Sequence, residues 1–493
     1  MRTTAGILVF VLLCLPLPAS AADGAQVNRA LLIGVDLFVT KTSTYPSSAN
    51  NVQEMYKALL HSAIPFAEIL IPEQPATTAG QFKGWMESAF GGADADDCNY
   101  LYLSTHGDYD ADGNAVMLLS DGRTENRLTA PELEAMFDGI QGTKIILLDA
   151  CYSGAFIGKG MREQLENISF RSPDFRVLTS SGAMEASWYW NGQTDYGQGS
   201  FYFTQILTQG LSPRWNYPAD HNRDGSITLS ELHRYLLENH GASTPQAYPQ
   251  EDDTVVFAYD PDAGIAENNR APIVDVVFSD DVIRPGESLT LSFTALRPVR
   301  VAYQIVYRRD GQWQFGEAEL HYDEAERFTA FGELAGAILP GRKVRTIALQ
   351  ANDEDVYGYV LVQVLSLEGG RLTMQTGHVI TVTPLTGDPA LHVETPVLFR
   401  AAEGTELPVF VSHSLPCALS VTIKDLEGQT VKRLSYRSPT RPLHTEPEGS
   451  CFYWNGLAQT GEAAPKGEYR VLVEGWIGDT VFTAQSEIIT MIR

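Results

Sequence analysis

Two side chains able to act together on an acyl carbon stand in matching settings, His106 after Tyr100-Leu-Tyr-Leu-Ser-Thr and Cys151 after Ile145-Ile-Leu-Leu-Asp-Ala. A cysteine sulfur attacks as its thiolate and an imidazole exchanges a proton near neutrality, so the pair suits covalent attack on a carbonyl carbon with proton transfer to the departing group. Taken singly, a cysteine after a buried strand is most often a small apolar filler, and a histidine there a satisfied loop residue. Their joint occurrence, each soon followed by a glycine (Gly107, Gly154) that lets a substrate backbone come close, turns the reading toward catalysis. Asp149 lies two residues before Cys151 and starts on the same strand face. A carboxylate beside a nucleophilic sulfur disfavours the thiolate unless a cation compensates, which a basic substrate side chain would do. Asp36 ends the first apolar run, and Thr179, Ser180 and Ser181 end another; these are either pocket residues or plain turn residues.

Runs of four to six apolar residues read as strands buried on both faces, and the carboxyl ends of such strands in a parallel sheet are where ligands are handled. Between Arg29 and Tyr259 such runs alternate with helical patterns. Strands are predicted over 30–35, 68–71, 100–104, 144–150, 176–180 and 254–259, and helices over 49–61, 79–90, 131–139, 201–209 and 229–239. The fold class is α/β over 29–260, a mostly parallel sheet with helices on both faces. Short alternating segments split by turns then predict two all-β sandwiches, at 271–384 and 391–493.

The segments Leu31-Leu-Ile-Gly-Val-Asp36, Ser104-Thr-His106-Gly107 and Asp149-Ala-Cys151-Tyr-Ser-Gly154, in that order, resemble the caspase-like superfamily of metacaspases, clostripain-like peptidases and their bacterial relatives. The resemblance covers about half the chain. It implies a caspase-like fold in which Cys151 attacks the scissile carbonyl, His106 helps protonate the leaving amine, and the N–H groups of Gly107 and Cys151 hold the oxyanion of a reaction that passes through a thioacyl enzyme. Animal caspases have Gln-Ala before the cysteine and a basic pocket, whereas this chain has Asp149. The matching acid of metacaspases lines a pocket for Arg or Lys, and Asp36 matches a second pocket acid. Cleavage of peptides after a basic residue is therefore expected. Thr179 and Ser181 are candidates for the same pocket, and Trp188 and Trp190 either wall the cleft or pack in the core. In the last segment, Phe452-Tyr-Trp454-Asn-Gly456 and Pro465-Lys-Gly467-Glu-Tyr469 resemble the immunoglobulin-like module of flagellar hook-capping proteins, with Trp454 and Tyr469 read as core.

Asp220-His-Asn222-Arg-Asp224-Gly225-Ser226-Ile-Thr228-Leu-Ser-Glu231 fits the EF-hand calcium loop at each ligand position, with Asp220, Asn222, Asp224, the Ser226 carbonyl, Thr228 and a bidentate Glu231 as oxygen donors. One calcium ion is expected. Asp108-Tyr-Asp110-Ala-Asp112-Gly113 begins alike, but Leu119 at its twelfth position cannot ligate, so a hairpin turn is expected there.

Residues 1–22 read as a secretory signal peptide, from Arg2 through an apolar stretch to Ala19-Ser-Ala-Ala22, and place the protein outside the cytoplasm, secreted or periplasmic. No segment is long enough to predict a membrane span. In an oxidising compartment Cys417 and Cys451 either bridge or stay as two buried thiols. A net charge of −26 argues against nucleic acid and for basic partners. Lys159 and Arg162, in a loop after the nucleophile, form a candidate self-cleavage site. The C-terminal domains are candidate anchors to a surface or a protein partner. Two rivals stay open at this point: a silent caspase-like module that binds protein, and a transpeptidase using the same pair.

Overall fold

The computed structural model describes residues 26–493 except 112, 159–169, 171, 184–185, 188, 194–197, 240–242, 250–251, 264–269, 285–286, 310–311, 314–339, 349–357, 369–370, 383–388, 403–404, 416, 440–449, 460–461 and 478–479. The signal peptide, Lys159, Arg162 and Trp188 lie outside the described residues.

In the first domain the elements follow one another as β1 (Asn28–Gly34), α1 (Ser47–Leu59), β2 (Phe66–Leu70), α2 (Ala79–Phe90), β3 (Cys98–Ser104), β4 (Gly107–Tyr109), β5 (Ala115–Ser120), β6 (Glu125–Thr129), α3 (Ala130–Ala135) and β7 (Thr143–Asp149). After Cys151 come β8 (Phe175–Thr179), β9 (Tyr189–Gln193), β10 (Gln198–Phe201), α4 (Tyr202–Gly210), β11 (Ser226–Thr228), α5 (Leu229–Asn239), β12 (Gln246–Tyr248) and β13 (Val255–Ala258). The main sheet runs β12-β8-β7-β3-β1-β2, with every pairing parallel except that of β12 with β8. Its central strands carry apolar runs, with polar residues at their ends, because each face meets its own core. Ala30, Leu32, Tyr100, Tyr102, Ile145 and Leu147 share one core with residues of α1, α4 and α5. Leu31, Ile33, Leu101, Leu103, Ile146 and Leu148 share the other with residues of α2 and α3.

Two helix starts follow local rules. The Thr78 hydroxyl accepts from Gln81 N at the head of α2, and Thr129 and Glu132 form a reciprocal capping box before α3, whose second residue is Pro131. The strand predicted over 254–259 forms as β13 but pairs with β11 in a separate ribbon. The sixth place in the main sheet goes instead to β12, three buried residues too short to signal themselves. The Asp108–Gly113 stretch is a hairpin turn as expected, closed by Asp110 N to Asn114 O at 2.9 Å.

Beyond residue 270 the chain forms two β-sandwiches. The first has a three-stranded sheet beginning with Ile273–Phe278 and a five-stranded sheet containing Gly358–Glu368 and Arg371–Val382. In the second, one sheet holds Leu391–Glu394, Leu407–His413 and Ser450–Trp454, and the other centres on Ala418–Asp425 and Gly467–Ile477. Trp454 and Tyr469 are buried in this second core with ring centroids 5.0 Å apart, as expected.

The Cys417–Cys451 bridge does not form, and all four cysteines among the described residues are thiols. Cys417 enters the core at the start of one sheet. Cys451 lies on the other sheet, on the face opposite the buried Phe452 and Trp454, so strand alternation turns its sulfur away from the core that holds Cys417. No helix among the described residues is long and apolar enough to cross a membrane.

Candidate active site

β3 and β7 are parallel neighbours in register, Ser104 opposite Asp149, and Thr105 N donates to Asp149 O at 3.1 Å. His106 and Cys151 each stand two residues past those partners, at one rim of the sheet. Their backbones touch. A Cβ added to Gly107 would fall 1.8 Å from the Cys151 carbonyl oxygen and 3.2 Å from its nitrogen, so only glycine lets the histidine strand lie this close to the nucleophile. Gly107→Ala must therefore force the two strands apart. It is expected to lower turnover by at least about 10²-fold, the scale set by small misplacements of reacting groups, together with a lower melting temperature. A variant with full activity would mean that this contact has no bearing on the chemistry.

The turn carrying Cys151 is held from below. Ser180 Oγ accepts from Ala150 N at 3.0 Å and donates to Ala150 O at 3.1 Å, while Ser181 Oγ donates to Ala150 O at 3.0 Å. Gly154 N donates to Ser181 O at 2.8 Å. Tyr152, next to the nucleophile, adopts φ 59°, a left-handed conformation that costs a non-glycine residue about 1 kcal/mol and that this network sustains. Thr179 and Ser181 are fully buried, and the Thr179 hydroxyl donates to Ser181 O at 3.1 Å. The structure thus places these two under the nucleophile turn, as its support, and does not turn them toward an open pocket.

The Cys151 thiol donates to Ser187 O at 3.6 Å. Burial pushes its pKa up against the opposing pull of the Ser187 contact, and Asp149 pushes it further. The His106 ring is half-buried, with Phe38 packed on its edge at 4.5 Å between centroids. Its Nε2 contacts Thr42 O at 2.9 Å. A carbonyl only accepts, so Nε2 carries the proton and Nδ1 keeps the lone pair. Burial pulls the imidazole pKa below its ordinary value, the Thr42 carbonyl resists this, and Lys41 adds to it. Both shifts favour the uncharged forms at neutral pH, a thiol and a neutral imidazole.

Asp149 is fully buried on the α4 side of the sheet. Its carboxylate accepts from Ser187 Oγ at 3.0 Å and from Thr204 Oγ1 at 2.6 Å, and the Tyr102 hydroxyl lies 2.5 Å from Thr204 Oγ1. Burial raises its pKa to about 6, with the two hydroxyls opposing. Among the described residues no cation pairs with it. Asp36 is engaged at the head of α1, accepting from Thr44 Oγ1 (2.9 Å), Ser48 N (2.7 Å) and Ala49 N (2.9 Å). These contacts give it a helix-anchoring part close to the same rim. Trp190 falls in β9.

The calcium-loop candidates are folded around their own oxygens. Asp220 is buried and accepts from Arg223 N (2.7 Å), Gly225 N (3.0 Å) and the Tyr259 hydroxyl (2.8 Å). Asn222 Oδ1 accepts from Asp224 N, Asp224 Oδ1 accepts from Ser226 N, and Glu231 Oε2 accepts from Thr228 N and Oγ1. Gly225 takes φ 87°, the turn such a loop needs at that point. Among the described residues no three Asp, Glu, His or Cys side chains converge as a metal set.

Thr42, Ser187 and Thr204 were invisible to sequence reasoning. A backbone carbonyl has no side-chain signature, and the two hydroxyl residues lie 38 and 55 positions from Asp149 along ordinary-looking stretches.

With this geometry in view, the chain can be compared with known proteins. Residues 27–236 match the caspase domain family. Among solved structures the chain is similar to dimeric latent PorU from Porphyromonas gingivalis, at 13% identity and TM-score 0.19, covering 49% of this chain and 22% of that one. It is also similar to caspase-1 from Spodoptera frugiperda, at 15% identity and TM-score 0.30, covering 47% of this chain and 94% of that one. The chain thus spans about a fifth of the length of PorU. No curated protein matches it. Over residues 27–236 this chain carries a caspase-like domain.

Proposed function

We propose that the protein is an exported cysteine endopeptidase that cleaves peptides after Arg or Lys. The observation that carries this reading is the contact of the Gly107 and Cys151 backbones at the rim, with Asp149 buried beside them. As the Cys151 sulfur bonds to the scissile carbonyl carbon, its proton passes to Nδ1 of His106. The imidazolium then returns that proton to the leaving amine as the C–N bond breaks. Water, deprotonated by the same imidazole, hydrolyses the thioester and frees the sulfur. The Gly107 and Cys151 N–H groups are the donors proposed for the oxyanion.

Basic specificity rests on Asp149. With a pKa of about 6 it is mostly ionised at neutral pH, and it lacks a cationic partner among the described residues, so an Arg or Lys side chain would complete the ion pair. Asp36 would add negative potential at the same rim. Reporter peptides ending in Arg, Lys, Asn or Asp test the assignment: turnover is expected for the first two only, and preference for Asn or Asp would refute it. The leader over residues 1–22 supports export, and the two sandwiches, whose immunoglobulin-like character belongs to this proposal, would dock the enzyme to a surface or a protein partner.

We also assign one calcium ion to the 220–231 loop. Asp220, Asn222, Asp224, the Ser226 carbonyl, Thr228 and Glu231 would hold it, an all-oxygen set of the kind this hard cation takes. Bound calcium would offset most of the charge of the three carboxylates Asp220, Asp224 and Glu231 in a strongly acidic chain. At a hundred times its dissociation constant it would stabilise the fold by about 2.7 kcal/mol. Addition of calcium to chelated protein is expected to raise the melting temperature, and Asp224→Asn with Glu231→Gln to erase that rise. A melting temperature indifferent to calcium would remove the assignment.

A further inference from the structure

The ring of His106 is oriented by a carbonyl on a loop, and that loop is tied down elsewhere. Glu125, the first residue of β6, accepts from Val39 N at 2.8 Å and Thr40 N at 3.2 Å through Oε2, and from the Thr40 hydroxyl through Oε1. Lys41 pairs with Asp108 of β4 at 2.9 Å. These contacts hold the three residues before Thr42, and Thr44 N, donating to Asp36 O at 2.8 Å, holds the chain after it; the Thr42 carbonyl receives the His106 Nε2 proton. The main chain of His106 is held by the same meander, since Leu118 N in β5 donates to His106 O at 3.0 Å and β5 pairs with β6. One three-stranded sheet therefore fixes both the backbone of the histidine and the loop that selects its tautomer.

We propose that Glu125 is a positioning residue for His106, acting through the 39–42 loop so that the Thr42 carbonyl keeps the imidazole in its Nε2–H form with Nδ1 free to take the Cys151 proton. The role rests on the peptidase reading of the His106–Cys151 pair. Among the described residues Glu125 bonds to neither His106 nor Cys151, and its two oxygens meet three donors, a set that alanine removes outright and that an amide keeps only with its oxygen on the two N–H groups and its NH₂ toward the Thr40 hydroxyl, which can accept. A loosened loop gives the imidazole a choice of tautomer, and the wrong one presents an N–H to the thiol where a lone pair is needed.

The test compares wild type, Glu125→Gln, Glu125→Ala and Thr40→Val by steady-state kinetics on an Arg reporter peptide and by ¹⁵N spectra of histidine-labelled protein. Glu125→Ala is expected to lower kcat by roughly 10- to 100-fold with KM within twofold, in line with the cost of misplacing a catalytic group. Glu125→Gln, which can keep the contacts by turning its NH₂ to the Thr40 hydroxyl, and Thr40→Val should lower it by less. The His106 ring resonances should move from a single Nε2–H tautomer in wild type to a mixture in Glu125→Ala. An unchanged tautomer in folded Glu125→Ala overturns the proposal, and so does an altered tautomer with unchanged kcat. Thermal melting separates a variant that fails to fold, in which case the milder Thr40→Val decides by the same spectra. Inert wild-type protein would refute the peptidase reading alone, since the ring spectra report on Glu125 without any turnover.

Discussion

Asp149→Asn is expected to make the protein more stable and nearly inactive on basic peptides. Asp149 is fully buried, and burial raises its pKa from the model-compound 3.8 to about 6. An acid whose pKa is higher in the folded state holds its proton more tightly there, so stability falls as pH rises from about 3.8 to about 6, and the cost persists at higher pH. At pH 7 that cost is on the order of 2 to 3 kcal/mol. An amide has no proton to lose, and it can still bond to the hydroxyls of Ser187 and Thr204, which donate or accept. The variant should therefore melt higher than wild type near pH 7, with the gap closing toward pH 4. Its kcat/KM on Arg and Lys peptides should fall by about 10³-fold or more, because a buried cation would lose its nearest counter-charge. Wild-type kcat/KM should decline below about pH 6 as Asp149 takes a proton, with the depressed His106 pKa adding to the decline further down. A purely structural aspartate would give the opposite pair of results: lost stability and retained turnover.

Cys151→Ala is the second large effect. Removal of the sulfur leaves no covalent route, and turnover should fall by at least about 10⁴-fold, to what binding and the oxyanion donors alone sustain. His106→Ala should fall by about 10²- to 10⁴-fold, and the double variant by little more than Cys151→Ala, since the two act as one unit. Because the resting sulfur is a thiol, slow alkylation by iodoacetamide at neutral pH, rising with pH, is expected; fast alkylation at pH 6 would indicate a resting ion pair instead.

How much of this was legible in the sequence follows from the physics of each feature. The strands ahead of His106 and Cys151 announced themselves because burial on both faces demands unbroken apolar runs, and β3 and β7 are buried almost throughout. Cys151 and His106 were readable as candidates because both follow strand ends, and the register of β3 with β7 carries their backbones to one rim. The partners of that pair were not readable. Thr42 acts through its backbone, Glu125 through a loop about 85 residues away, and Ser187 and Thr204 through folds in the chain that no local pattern encodes. Thr179 and Ser181 were placed at the correct strand end, yet which way a hydroxyl turns there depends on Ala150 across the next strand. The misassigned sixth strand has a similar cause: β13 is the more apolar segment, but the sheet edge was taken by the shorter β12 after α5. Of the two alternatives for Cys417 and Cys451 the thiols are found, and the sequence could not decide between them because spacing along the chain says nothing about which sheet a cysteine joins.

The claim that most depends on all of this is that the Cys151 sulfur attacks a carbonyl carbon presented by a substrate with a basic side chain. It is tested most directly by treating the protein with a peptidyl-arginine chloromethyl ketone and mapping the adduct by mass spectrometry. The expected result is one adduct, on Cys151, formed much more slowly in Asp149→Asn and with a peptidyl-aspartate reagent of the same length. An adduct on Cys98, Cys417 or Cys451, or equal labelling by the arginine and aspartate reagents, would contradict it.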